Sequence, residues 1–255
     1  MPAAATSPRA EAPQAPSALA ALEAIPWLSA VPANTLAGLA DQALLQRMPP
    51  GAHLFEQAES PAFAQLLIAG AVALVAQRGH DEMLIEVVRA PDLLLPAAML
   101  TRQPYLVGAR VQRAARVLLI PVDVFRAALA ADHALAIAVL ACQAAQFRRQ
   151  LRQAKSMRLR SAEERVGFYL RSLAEEAAAD TVSLPHEKRL IASQLGMSRE
   201  TLSRALPGLA RHGLRIAGDV LHVDDRAAAA EAFPFDPLID GVEAVNPLPP
   251  QRTST

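Results

Sequence analysis

The chain has 255 residues, carries 25 basic and 25 acidic side chains, and is 52 % hydrophobic and 20 % charged, a composition that supports one or two packed domains and excludes a wholly disordered protein. Its longest apolar stretches, around 93–100 and 134–142, fall short of the roughly 18 residues that a membrane-spanning helix requires. A lone cysteine, Cys142, excludes an internal disulfide framework, a cysteine-ligated zinc site and an iron–sulfur cluster held by several thiolates of one chain.

Residues 1–18, rich in Ala and Pro, predict a disordered tail. Residues 1–22 lack the basic flank and apolar core of a signal peptide, which predicts a cytoplasmic protein with no membrane partner. Residues 19–28 and 36–45 carry apolar side chains at helical spacing and predict two short helices before the turn Pro49-Pro50-Gly51. From His53 the period changes to two. Strands are predicted at 54–55, 65–69, 71–77, 83–88, 105–112 and 116–121, separated by Gly, Pro or charged turns. Short strands at this spacing predict a small antiparallel barrel or jelly roll over residues 19–131.

A long helix is predicted over 132–158, with Ile137, Leu140, Ala144, Phe147, Leu151 and Ala154 at alternating steps of three and four. That is a heptad seam, read as a two-chain dimer interface or as the stripe of a helix packed on its own barrel. Cys142 falls off the seam and reads as a buried structural thiol. A further helix is predicted over 163–176.

Charge is unevenly spread. Residues 1–142 carry nine basic against eleven acidic side chains, 143–215 fourteen against seven, and 216–255 two against seven. The basic middle, including Arg148, Arg149, Arg152, Lys155, Arg158 and Arg160, reads as a surface that meets phosphates.

Residues 187–213 carry the most specific signal. Ala192 suits a close crossing of two helices, Gly196 permits the positive φ of a sharp turn, and Ser198 is placed to cap a second helix. Ile191, Leu195, Leu202 and Leu206 then form the face between the helices, leaving Arg199, Glu200, Ser203 and Arg204 outward on the part that reaches base edges in a major groove. Arg can fork onto guanine, Glu can accept from cytosine N4, and Ser can serve a thymine edge. Pro207 should kink or end this helix after its reading turns. Residues 214–216 and 220–223, around Gly218-Asp219, predict a β-hairpin wing that completes a winged-helix domain over 159–225. Residues 226–255 are predicted to be a Pro-rich acidic tail, flexible and without a packed core from Phe233 onward. The fold class is therefore α+β: an antiparallel β-roll, a long dimerisation helix and a winged helix-turn-helix. No Ser/His/Asp set, paired carboxylates, phosphate loop or metal-ligand spacing rises above chance, so no enzyme is predicted.

The β-roll pattern, the long helix and the run Met197-Ser198-Arg199-Glu200-Thr201-Leu202-Ser203-Arg204 together resemble the Crp/Fnr family of transcription regulators. The resemblance implies a homodimer on double-stranded DNA, with Ser198, Arg199, Glu200, Thr201, Ser203 and Arg204 at a half-site similar to TTGA or TTGAT, and RNA polymerase as a protein partner. The departures bear on the effector. Where cyclic-nucleotide binders of the family hold ribose and phosphate with Gly-Glu-Leu and then Arg-Ser or Arg-Thr, this chain has residues 93–100, Leu-Leu-Leu-Pro-Ala-Ala-Met-Leu, and then Tyr105-Leu106. A buried phosphate there would be uncompensated, which argues against cyclic AMP. The cysteine count excludes the family's iron–sulfur sensor.

There remains an expected apolar effector pocket of Leu94, Met99, Leu100, Tyr105 and Val107, similar to that of haem-dependent, nitric-oxide-responsive members, with His53, His80, His133 or a methionine as the candidate axial ligand. A filled core with no effector is the alternative. The rival function is a haem-based gas sensor whose helical domain engages a protein rather than DNA.

Overall fold

The computed structural model describes residues 17–79, 81–185 and 187–241. Helix α1 (Ala18–Glu23), capped by the Ser17 hydroxyl, leads through a 3-10 turn (Pro26–Leu28) to α2 (Ala33–Asp41). Both predicted N-terminal helices are therefore shorter than expected. The first breaks because Pro26 cannot continue it, and the second stops at Asp41, ahead of the unpredicted strand β1 (Leu44–Met48). Trp27 and Leu28, both buried, close this end of the core with Leu22, Leu36 and Leu39.

The roll continues with β2 (His53–Phe55), β3 (Phe63–Arg78), β4 (Asp81–Arg89), β5 (Asp92–Leu93), α3 (Pro96–Thr101) and β6 (Gly108–Pro121). All pairings are antiparallel, in the order β1-β6-β3-β4, with β2 also on β6 and β5 on β3. Residues 65–69 and 71–77 are one strand, and the stretches around 105–112 and 116–121 merge from Gly108 onward. Gly70 does not end β3. Its φ of +91° bends the strand where a Cβ would meet the Ala114 carbonyl at 2.4 Å, so it acts as a bulge.

Helix α4 (Val122–Ala131) turns at Asp132 into the 27-residue α5 (His133–Leu159). Asp132 accepts hydrogen bonds from the Thr35 hydroxyl and, as the cap of α5, from Leu135 N–H at 3.0 Å, two bonds that hold its carboxyl below the usual range. One face of α5, Leu135, Ala138, Val139, Cys142 and Ala145, is buried against the roll. The opposite stripe is open: Leu140, Phe147 and Leu151 are 57, 65 and 51 % exposed, Ala144 is exposed and Ile137 half-buried.

The C-terminal unit comprises α6 (Ala162–Ala177), β7 (Thr181–Ser183), α7 (Lys188–Gln194), α8 (Arg199–Ala205), a 3-10 stretch (Leu206–His212), β8 (Leu214–Ala217), β9 (Val220–Val223) and α9 (Arg226–Ala232). Ser161 and Glu164 form a reciprocal capping box that starts α6 and holds the Glu164 carboxyl below its usual range. The wing has a third, unpredicted strand, β7, paired with β9. Beyond it the expected non-packing tail is corrected as far as residue 241. Asp225 caps α9, Ala229 and Phe233 are buried in the winged-helix core, and Phe233 lies where any Cβ on Gly167 would meet it at 2.4 Å. An apolar ring set against a glycine has area to bury, and that outweighs the local Pro content.

Candidate nucleic-acid interface

Helices α7 and α8 meet across a turn whose pivot is Gly196, at φ +65°. Ile191, Ala192 and Leu202 are buried where they cross, while Leu195 and Leu206 pack at the margin. Ser198 caps α8, its hydroxyl accepting from Thr201 N–H at 3.2 Å. Arg199, Glu200, Ser203 and Arg204 are all exposed, and Thr201 is half-buried beside the cap. The Glu200 carboxyl sits below its usual range because it accepts from its own backbone N–H and the Ser198 hydroxyl, with Arg199 and Arg204 adding positive field, so near neutral pH it is an acceptor only. Helix α8 ends at Ala205, two residues ahead of Pro207, leaving the reading turns regular.

The basic footprint divides in two. Arg199, Arg204 and Arg189 lie exposed on the helix-turn-helix. Arg149 and Arg160, read in the sequence as phosphate-facing, instead form internal ion pairs: Arg149 with Glu86 and Asp92, Arg160 with Asp240. Arg152 and Lys155 donate to the carbonyls of Pro237 and Leu238. These carboxylates and carbonyls are distant in sequence, which is why composition alone assigned those cations to phosphate.

The expected effector set does not come together. Leu94 and Val107 line a cavity of about 590 Å³ between the roll and α5, along with Leu74, Val88, Leu95 and Phe147. Met99 points away into the core beside Trp27 and Phe125, and Leu100 is 38 % exposed. Tyr105 stacks on Phe55 with ring centroids 3.8 Å apart and lines a separate cavity of about 230 Å³, where burial pushes its phenol up to about 12. Within the short helix that starts at Pro96, Ala97 and Ala98 meet the cavity while Met99 turns into the core, because successive helical side chains point in different directions.

Nor do His53 and His133 line the larger cavity. His53, half exposed, pairs with Glu56 at 2.5 Å and borders the smaller cavity, and His133 is exposed at the start of α5. His80 lies outside the described residues. The haem reading therefore gains no support. Sequence reasoning also missed the polar wall that α5 gives the larger cavity, Gln143, Gln146, Arg149 and Gln150, since glutamines on a helix carry no distinctive pattern.

Residues 45–132 match the cyclic nucleotide-binding domain, and residues 164–228 match the Crp-like helix-turn-helix domain. The chain belongs to the Crp/Fnr family. The nitrogen fixation regulation protein FixK of Bradyrhizobium diazoefficiens (strain USDA 110) is 46 % identical over 59 residues, 21 % of this chain, and the match spans only a quarter of that relative's length. FixK2 from Bradyrhizobium japonicum superposes with a TM-score of 0.60 at 19 % identity, covering 76 % of this chain and 98 % of that one. The c-di-GMP-responsive global regulator CLP of Xanthomonas campestris gives 0.62 at 19 % identity, covering 76 % of this chain and all of that one. At that identity these structures carry the fold alone.

The domain's name implies a cyclic nucleotide, and the larger cavity's lining does not fit one. Arg149, the only cation among its described lining residues, is held at 3.0 Å by Glu86 and at 2.7 Å by Asp92, and its net shift is upward because these two carboxylates outweigh the cost of burial. A phosphate entering there would meet one guanidinium already shared between two carboxylates, and so a net negative charge.

Proposed function

We propose that the chain is a cytoplasmic, sequence-specific DNA-binding transcription regulator that acts as a homodimer, with α8 reading a TTGA(T)-like half-site and RNA polymerase as its protein partner. The observation that carries this reading is α8 itself: four side chains capable of base-edge recognition stand exposed together beyond a buried helix crossing and a capped start. A second chain has a place to bind. The open stripe of Ile137, Leu140, Ala144, Phe147 and Leu151 is apolar at heptad spacing over about three heptads, the pattern that two helices bury against each other.

The roll's effector, on this reading, is a neutral, largely apolar molecule in the 590 Å³ cavity. Its walls are mostly aliphatic, its cation is neutralised, and the buried Gln143 Oε1 lacks a hydrogen-bond partner, which suits a ligand with one donor. Phe147 belongs both to the cavity wall and to the open stripe of α5. A ligand that favours one arrangement of two such helices shifts the dimer only by its difference in affinity for the two arrangements.

Titration of a labelled TTGAT palindrome and a scrambled duplex at several salt concentrations tests this reading. The expected result is a salt-dependent affinity about 10³-fold or more tighter for the palindrome. Equal, weak binding to both duplexes contradicts it.

A further inference from the structure

The 233–241 segment leaves the winged-helix core and returns to the end of the long helix. One anchor is Phe233, buried against Gly167 of α6, with its carbonyl accepting from Arg171. The other is Asp240, whose two oxygens take both terminal nitrogens of Arg160 at 2.6 and 2.7 Å. Both side chains of that pair are largely buried, 13 and 4 % exposed, and Asp240 also accepts from Asp236 N–H at 2.8 Å. Between the anchors, Arg152 donates to Pro237 O and Lys155 to Leu238 O, so the strap is fastened to α5 over its last two turns.

These contacts straddle a junction. Helix α5 ends at Leu159 and α6 begins at Ala162, so only Arg160 and Ser161 join the long helix to the winged helix, and both have extended backbones. Two residues with free dihedrals would let the domain swing. Arg165 restrains part of that freedom, donating to Met157 O and Arg160 O on one side and to Leu195 O, in the helix-turn-helix, on the other. Met157 packs on Gly196 at the pivot of the same turn, leaving 2.6 Å to any added Cβ. Ser193 of α7 adds a tie to the roll, accepting from Leu84 N–H of β4 at 2.7 Å, and the strap supplies another, from α6 across the junction to α5.

We propose that Asp240 is a positioning residue for DNA reading: by holding Arg160 at the α5–α6 junction, the strap fixes the angle between the dimerisation helix and α8, and with it the half-site spacing the dimer accepts. This rests on the dimeric reading above. Each base pair added between half-sites rotates one against the other by about a tenth of a turn. A stiff junction penalises that rotation, and a loose one absorbs it. Asp240 touches no base-reading residue and lies outside the winged-helix core cluster, so its loss leaves α8 intact.

The test compares wild type, Asp240→Ala, Asp240→Glu and a chain ending at Pro234, each bound to palindromes at the preferred spacer and one base pair shorter or longer. Tryptic cleavage after Arg160 is followed in parallel without DNA. For Asp240→Ala and the shortened chain, the preference for the native spacer should fall about threefold to tenfold, a size typical of residues that alter coupling without touching ligand. Discrimination at single bases should persist, cleavage after Arg160 should accelerate, and Asp240→Glu should restore part of both. An equal loss of affinity at every spacer, or unchanged spacer preference and cleavage, overturns the inference while leaving the DNA-binding reading standing. A wild-type protein indifferent to spacing overturns both, and the DNA-free cleavage separates that failure from the first.

Discussion

Arg149 of α5 donates to Asp92 of β5 at 2.7 Å, a contact that helps fasten the long helix to the roll and also neutralises the only cation in the described lining of the larger cavity. Asp92 is 4 % exposed and collects four donors: Arg149, Gln146 Nε2 at 2.9 Å, the Cys142 thiol at 3.4 Å and Leu93 N–H at 2.9 Å. A buried carboxylate is tolerated only when its lone pairs are filled in this way. Removing its charge leaves Arg149 dependent on the more exposed Glu86. Asp92→Asn should therefore destabilise the protein by about 2–4 kcal/mol, read by denaturant unfolding monitored through Trp27. A change under about 0.5 kcal/mol would show that Glu86 alone satisfies Arg149.

Arg204→Ala should cost roughly 1–3 kcal/mol at the base pair Arg204 reads and relax specificity there, while binding to scrambled DNA changes little. Competition with single-base variants of the half-site checks this. Wild-type discrimination in that variant would mean that α8 docks differently.

Leu140→Glu places a charge on the open stripe of α5, where the wild-type side chain is 57 % exposed and the fold of one chain does not depend on it. The variant should sediment as a monomer with an unchanged circular dichroism spectrum, and its affinity for a palindrome should drop toward that for a single half-site. A dimer of undiminished stability would place the interface elsewhere.

Cys142 sits within the roll–helix core, and burial, reinforced by the Asp92 charge, pushes its thiol up to about 12. Only the thiolate is nucleophilic, so thiol reagents at pH 7–8 should label the native protein far more slowly than the unfolded chain. The sign for stability follows from the raised value. The thiol's contribution is complete below its unfolded pKa, near 9, and is lost as pH rises toward about 12. Fast labelling of the folded protein would contradict the buried placement.

The helix-turn-helix was legible because its signals are local: Gly196 at the turn, Ser198 at the cap and four apolar residues at helical spacing lie within sixteen positions. The seam on α5 was legible for the same reason. Strand β1 was not, because Leu44-Leu45-Gln46-Arg47-Met48 carries no clean alternation and its two leucines continue the helical spacing that precedes them. The division of β3 at Gly70 failed because a glycine that ends a strand and one that bends it look alike in sequence. The cavity and the C-terminal strap depend on pairs such as Arg149 with Asp92 and Arg160 with Asp240, 57 and 80 residues apart. No local pattern encodes such partners, so the cations were assigned to phosphate and the prolines to a loose tail.

The most direct test of the central claim is selection of bound duplexes from a random pool by the purified chain, followed by footprinting of the winners. Two inverted TTGA(T)-like half-sites should emerge, with protection centred on major grooves about 10–10.5 base pairs apart and two chains per duplex. Enrichment of no motif, or of a single site occupied by one chain, would contradict a dimer that reads DNA through α8.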